Sequence, residues 1–203
     1  MEFERSFAWL ALAGVLGGSA CSSVTGIGLP TVNDRPSSQN VQNQGAVSIT
    51  VGKPAQPVND MACPVEGELS AIGAPKVPTE LNPGTSVVNG EQGYSVSCSV
   101  TGRGPFVFSG SIHGVSADGQ LITVSFRNGM LGADFKGSAD VSVLTPQLGE
   151  TLSSSAPCTV MALQNQAKPG SLWATFSCPQ TALPPSTTCS ASGVIVFENC
   201  AGS

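Results

Sequence analysis

The sequence predicts an all-β fold: an antiparallel β-sandwich or jelly-roll-like domain held by about three disulfides. From Gly93 onward, apolar and hydroxyl side chains alternate with a period of two, which is typical of half-buried strands. The chain contains 24 Gly and 15 Pro, which punctuate these short segments as turns. Charged residues make up only 10% of the chain, whereas the surfaces of helical bundles need Glu and Lys. No segment shows three turns of helical periodicity.

The middle of the chain reads as a meander with one buried face. Residues 94–101 and 106–112 alternate, and we predict that the turn at 102–105 places Val100 opposite Phe106. A second turn at 116–119 would place Phe108 opposite Phe126. Residues 128 and 129, Asn-Gly, form a strong two-residue hairpin signal and predict a third turn there.

The last third predicts another hairpin, about the turn at 167–170. Folding there sets Cys158 opposite Cys178, Val160 opposite Phe176 and Ala162 opposite Ala174. A disulfide between Cys158 and Cys178 follows from this register. A final strand over 193–197 lies between Cys189 and Cys200, which we expect to pair; Cys63 would then pair with Cys98. Six cysteines allow fifteen connectivities, so other pairings stay open.

The first 23 residues carry a short apolar run, residues 6–16, then Gly17-Gly18-Ser19-Ala20 and Cys21. This layout resembles the signal peptide of bacterial lipoproteins. The resemblance covers residues 1–23 only and implies cleavage before Cys21 and a diacylglycerol on its sulfur. Ser22 after the Cys resembles the sorting pattern of outer-membrane lipoproteins. Ordinary secretion, with cleavage after the same Ala20, and an uncleaved anchor are the alternatives. The apolar run is too short for a transmembrane helix, which needs about 20 residues.

Assigning Cys21 to lipid leaves six of the seven cysteines, an even number that favours disulfides in an exported chain. The expected organisation is a signal peptide at 1–20, a lipidated Cys and polar tether at 21–44, and one β-domain at 45–203. The formal net charge is −5 with no basic cluster, which argues against a nucleic-acid partner. No cofactor is expected, and zinc is disfavoured because His113 is the one His and no Cys pair has zinc-type spacing.

Catalytic patterns are sparse. A Ser-His-Asp triad would need His113, expected in the turn after Ile112, with Asp118 nearby, but no nucleophile elbow accompanies them. Glu66 and Glu68 would share a strand face, the spacing a glycosidase pair could use, but lie in a Pro-rich segment typical of solvated side chains. Asp134 and Asp140, on outward positions near a turn, are weak candidates for calcium.

The function expected from these observations is a non-catalytic structural or interaction module anchored at the cell envelope, with an unknown protein or glycan partner. A carbohydrate-binding or other ligand-binding module is the alternative. Trp173 is its candidate contact residue, because it falls on the outward face beside Thr175 and Ser177, whereas Tyr94 and Phe106 fall on the inward face.

Overall fold

The structure is a computed structural model that describes residues 41–55, 63–79 and 82–202. The predicted signal peptide, Cys21 and the tether up to residue 40 lie outside the described residues. The described ranges contain thirteen strands, which are, in chain order, β1 (Gln44–Gly52), β2 (Gly67–Ile72), β3 (Ala74–Pro75), β4 (Gly84–Thr85), β5 (Val87–Val88), β6 (Ser95–Gly102), β7 (Phe106–Val115), β8 (Leu121–Leu131), β9 (Lys136–Leu144), β10 (Leu152–Ser154), β11 (Cys158–Lys168), β12 (Ser171–Leu183) and β13 (Thr187–Glu198).

Eleven of the strands form one hydrogen-bonded sheet, whose main path runs β2-β1-β13-β12-β10-β9-β8-β7-β6. Strand β11 bridges β12 and β9, β5 pairs with the start of β1, and β3 pairs with β4 as a separate ribbon. Every pairing between named strands is antiparallel. The predicted all-β antiparallel fold is therefore confirmed.

The sheet folds over so that β6–β9 face β1, β12 and β13 across one apolar core. The ring of Phe126 on β8 meets Phe176 on β12 edge-on at 5.2 Å, and Phe197 on β13 at 6.1 Å. The two layers approach so closely that a Cβ at Gly110 would lie 2.6 Å from Cζ of Phe197. Glycine at this strand position therefore leaves the room that the facing phenyl ring occupies.

Three disulfides staple the domain: Cys63–Cys189, Cys98–Cys200 and Cys158–Cys178. The third was predicted, and so was its register, because Val160 pairs with Phe176 and Ala162 with Ala174. The predicted pairings Cys189–Cys200 and Cys63–Cys98 are wrong. Cys189 lies near the start of β13 and Cys200 beyond its end, so about eleven extended residues hold them roughly 36 Å apart. A disulfide needs Cα atoms within about 7 Å.

The predicted Asn128-Gly129 turn is also wrong. These two residues form a bulge inside β8, where the register with both β7 and β9 shifts. Asn128 takes a φ of +50° there, and Gly129 leaves room for the ring of Phe108, whose Cζ would lie 2.6 Å from a Cβ. The chain turns at residues 132–135 instead. A positive φ favours Asn and Gly in a bulge as it does in a turn, so the dipeptide alone does not separate the two.

The predicted pairings of the meander are displaced by two residues. Val100 pairs with Phe108, not Phe106, and Gly110 pairs with Phe126 in place of Phe108. The observed register leaves Pro105 in the loop, whereas the predicted register would have paired it with Thr101. Proline has no N–H to donate to a ladder, which favours the observed register. A shift of two keeps every side chain on its predicted face.

The outer edge of β6 is closed by other parts of the chain. The Val96 N–H donates to Oδ1 of Asn89 at 2.9 Å, and the Val96 carbonyl accepts from Nδ2 of Asn43 at 3.4 Å. Further along, Val100 N–H donates to Ala201 O at 3.0 Å, and Ala201 N–H donates to Cys98 O at 3.2 Å. An edge occupied in this way cannot template pairing with another chain.

Candidate functional site

Trp173 lies on the outward face of β12, as predicted, but it is covered. Its side chain is only 8% exposed and packs in a small outer cluster with Ala46, Val194 and Val196. Its indole Nε1 donates a hydrogen bond to Lys76 O at 2.6 Å. The segment around β3 therefore lies over the ring, and the indole face is not free to stack on a ligand.

Beside Trp173, β11 carries a wide bulge. Ala162 pairs with Ala174 and Ala167 with Leu172, so four residues, 163–166, oppose Trp173 alone. The bulge is held by the Gln166 side chain, which accepts from Leu163 N–H and donates to the carbonyl of Pro78. A groove of about 410 Å³ lies along the bulge. Its lining is mainly polar and includes Gln164, Asn165, Gln166, Lys168, Ser171, Trp173 and Glu198.

His113 is placed inside β7 and not in a turn, which corrects the prediction. It is half-buried on the outer face of the sheet, opposite Ser95 on β6 and Thr123 on β8. Its Nδ1 lies 2.7 Å from Oγ1 of Thr123. The imidazole is thus engaged with a hydroxyl of the neighbouring strand.

Asp118 lies in the turn between β7 and β8 and hydrogen-bonds that turn to β2. We call this contact the Asp118 clip. Its carboxylate accepts hydrogen bonds from the hydroxyls of Ser116 and Ser70, the latter at 2.9 Å. These bonds stabilise the ionised form and lower the pKa of Asp118 below its ordinary value of 3.8. Through these bonds Asp118 joins β2 to the opposite layer.

The remaining acidic candidates lie apart in the fold. Glu66 precedes β2 and forms an exposed ion pair with Lys53 at 3.0 Å, while Glu68 lies within β2. Asp134 lies in the turn at 132–135 and accepts from the Lys136 N–H at 3.3 Å. Asp140 lies on β9 and accepts from Nδ2 of Asn128 at 2.7 Å. Across residues 41–55, 63–79 and 82–202, no group of three or more His, Cys, Asp or Glu side chains is placed to hold a metal ion.

The outer face of the sheet carries hydroxyl side chains in two rows that cross the strands. In each row, every member is the register partner of the next. One row spans β6 to β10 and consists of Ser97, Ser111, Ser125, Ser142 and Ser153. The other spans β9, β11, β12, β13 and β1 and consists of Ser138, Thr159, Ser177, Ser192 and Thr50. The hydroxyl-rich face predicted for one strand thus extends around the domain.

A second groove, the Tyr94 groove, opens beside the turn that leads into β6. It encloses about 350 Å³ and combines an aromatic ring, short apolar side chains and a polar rim. Its lining residues are Ala71, Gly73, Thr85, Ser86, Val87, Val88, Glu91, Gln92, Tyr94, Val115 and Ala117. The volume falls at the lower end of the range of about 300–1,000 Å³ for small-molecule sites.

Tyr94 directly precedes β6, is half-buried and packs against the main apolar core, which agrees with its predicted inward position. Its ring rests on β7 at Gly114, where a Cβ would lie 2.2 Å from Cδ1 of the tyrosine. Two backbone bonds of 2.8 Å fix the residue: Gly90 N–H donates to Tyr94 O, and Tyr94 N–H donates to Glu91 O. Glycine at position 114 is the local signal that an aromatic ring packs against this strand.

Comparison of the chain with protein-family models, with curated proteins and with solved structures finds no match. Within the described ranges, no helix has the length and hydropathy required to cross a membrane.

Proposed function

We propose that this chain is an exported lipoprotein, held at the cell envelope through a lipid on Cys21, whose β-domain is a non-catalytic interaction module. The observation that carries the proposal is the use of the cysteines. The three disulfides consume all six cysteines from Cys63 onward, and Cys21 is the seventh. Disulfides persist in oxidising compartments outside the cytoplasm, and the odd cysteine falls where lipidation is expected.

The surface of the domain supports an interaction role over catalysis. The two candidate triad residues, His113 and Asp118, are bonded to the hydroxyls of Thr123, Ser70 and Ser116. The outer face presents rows of hydroxyls in place of charges, and the β6 edge is closed. Such a surface remains solvated without a high charge and forms hydrogen bonds with neutral partners.

Cell fractionation tests the anchor. We expect the wild-type protein in the detergent-soluble membrane fraction, and Cys21→Ala in the soluble fraction or retained unprocessed. Ser22→Ala is the matched control, because it changes the neighbouring residue and leaves the lipid acceptor in place. Identical fractionation of wild type and Cys21→Ala would refute lipid anchoring at this residue.

A further inference from the structure

We infer that the Tyr94 groove binds a neutral sugar residue of a glycan, with the Tyr94 ring as the stacking platform. The inference rests on the proposed interaction role, which it deepens by naming a ligand class and a site. The face of a pyranose ring is made of C–H groups and its edge of hydroxyls. A sugar therefore needs an aromatic or apolar surface beside groups that both donate and accept hydrogen bonds.

The groove supplies both kinds of surface. Its apolar part is formed by Val87, Val88 and Val115 beside the tyrosine ring. Its polar rim holds Glu91 and Gln92, both exposed, on the turn that positions Tyr94. A carboxylate accepts hydrogen bonds from sugar hydroxyls, and an amide donates and accepts. The Glu91 and Gln92 side chains make no bond or ion pair within the described part of the chain, so both are available.

The charge of the lining selects against anionic ligands. None of its eleven residues is Lys, Arg or His, and Glu91 is the single acidic member. A phosphate, sulfate or uronic acid would meet a like charge here without a cationic partner. The groove beside Trp173 presents an indole that is covered and already hydrogen-bonded. Tyr94 is the more accessible aromatic platform.

The backbone of the turn supports a ligand-contact role for Gln92. This residue has a φ of +50°, a conformation that glycine adopts without strain, and glycines at positions 90 and 93 of the same turn adopt φ values of +83° and +81°. A glutamine held in this region places an amide on the rim at a cost in stability. Strained positions of this kind cluster at ligand sites.

The single tyrosine of the 203-residue chain gives a direct probe. The full chain, with its three disulfides formed and its Tyr ring isotopically labelled, shows one set of tyrosine signals by NMR. We expect these signals to shift saturably on titration with at least one of four neutral trisaccharides, namely chitotriose, cellotriose, maltotriose and laminaritriose. Absence of a saturable shift with all four would overturn the inference and leave the fractionation of Cys21→Ala unaffected.

Two variants separate binding from folding. Glu91→Ala, on an exposed side chain, should weaken the binding of that trisaccharide at least fivefold, and Glu150→Ala, an exposed carboxylate on another turn, should not. Gln92→Gly should raise the melting temperature by relieving the positive φ, while also weakening binding at least fivefold. Unchanged affinity in both groove variants would overturn the assignment of the ligand to this groove.

Discussion

Cys98 and Cys200 are bonded with their Cα atoms 5.0 Å apart, although 102 residues separate them in the chain. This bridge ties β6 to the C-terminal segment. It holds Ala201 where its backbone closes the β6 edge with hydrogen bonds to Cys98 and Val100. One covalent link thus supports both the stability of the domain and the protection of a sheet edge.

We therefore predict that the Cys98→Ala/Cys200→Ala variant is destabilised more than the Cys158→Ala/Cys178→Ala variant. In the chain-entropy model, a loop of about 100 residues contributes roughly 4.7 kcal/mol and a loop near 20 residues about 3 kcal/mol. For a domain of this size, 1 kcal/mol shifts the melting temperature by about 2–4 °C. Thermal unfolding followed by circular dichroism under non-reducing conditions measures the difference. An equal or larger loss in the Cys158/Cys178 variant would contradict this ranking.

The asparagine contacts at the β6 edge predict a change in association. Asn89→Ala leaves the Val96 N–H without its 2.9 Å partner, which costs about 1 kcal/mol and opens part of the edge. We expect lower stability and increased self-association in sedimentation velocity. Gln147→Ala, on an exposed turn, is the control. If Asn89→Ala stays as monodisperse as the control at every concentration, edge closure does not depend on this contact.

The Asp118 clip between β2 and the β7–β8 turn predicts that the stability of the domain depends on pH. The pKa of Asp118 is lowered in the folded protein, chiefly by its hydrogen bond from Ser116 and then by that from Ser70. Its contribution to stability is present above the ordinary value of 3.8 and is lost as the pH falls through the lower folded value. We expect Ser70→Ala to raise the pKa of Asp118 towards 3.8, as measured by NMR titration of the carboxyl carbon. An Asp118 that titrates at or above 3.8 in the wild type would contradict the clip.

The covering of Trp173 predicts a structural role for this residue. Trp173→Ala should lower the free energy of unfolding in urea by about 3 kcal/mol or more, because it empties a packed site. Trp173→Phe should lose less stability, because it keeps an aromatic ring in the site, although it removes the hydrogen bond to Lys76. A Trp173→Ala variant with wild-type stability and lost trisaccharide binding would reverse the roles assigned to Trp173 and Tyr94.

The sequence predicts which side chains of each strand face the core, because alternate residues of a strand point to opposite faces of the sheet. Val100, Phe108 and Phe126 are all buried as expected, although their partners differ by two residues. The Cys158–Cys178 bridge and the register next to it were predicted, whereas the bulge at 163–166, which shifts the register before the turn, was not. Cys63–Cys189 and Cys98–Cys200 join segments more than 100 residues apart, and local pattern carries no information on such contacts.

The candidate site was less predictable for the same physical reason. Tyr94 continues the apolar alternation of β6, and this alternation alone predicts that its side chain is buried. Tyr94 does pack against the core, but the groove that it lines is formed with Val87, Glu91 and Val115, which come from separate segments of the chain. Trp173 was correctly assigned to the outer face, but its cover comes from Lys76, 97 residues earlier in the chain.

The central claim is that Cys21 carries a lipid while the other six cysteines are paired. Mass spectrometry of the protein extracted from membranes, digested without reduction, tests both parts together. We predict an N-terminal peptide that begins at Cys21 and carries a diacylglycerol, alongside the linked peptides Cys63–Cys189, Cys98–Cys200 and Cys158–Cys178. An N-terminus at any other residue, an unmodified Cys21, or Cys21 linked to another cysteine would contradict it.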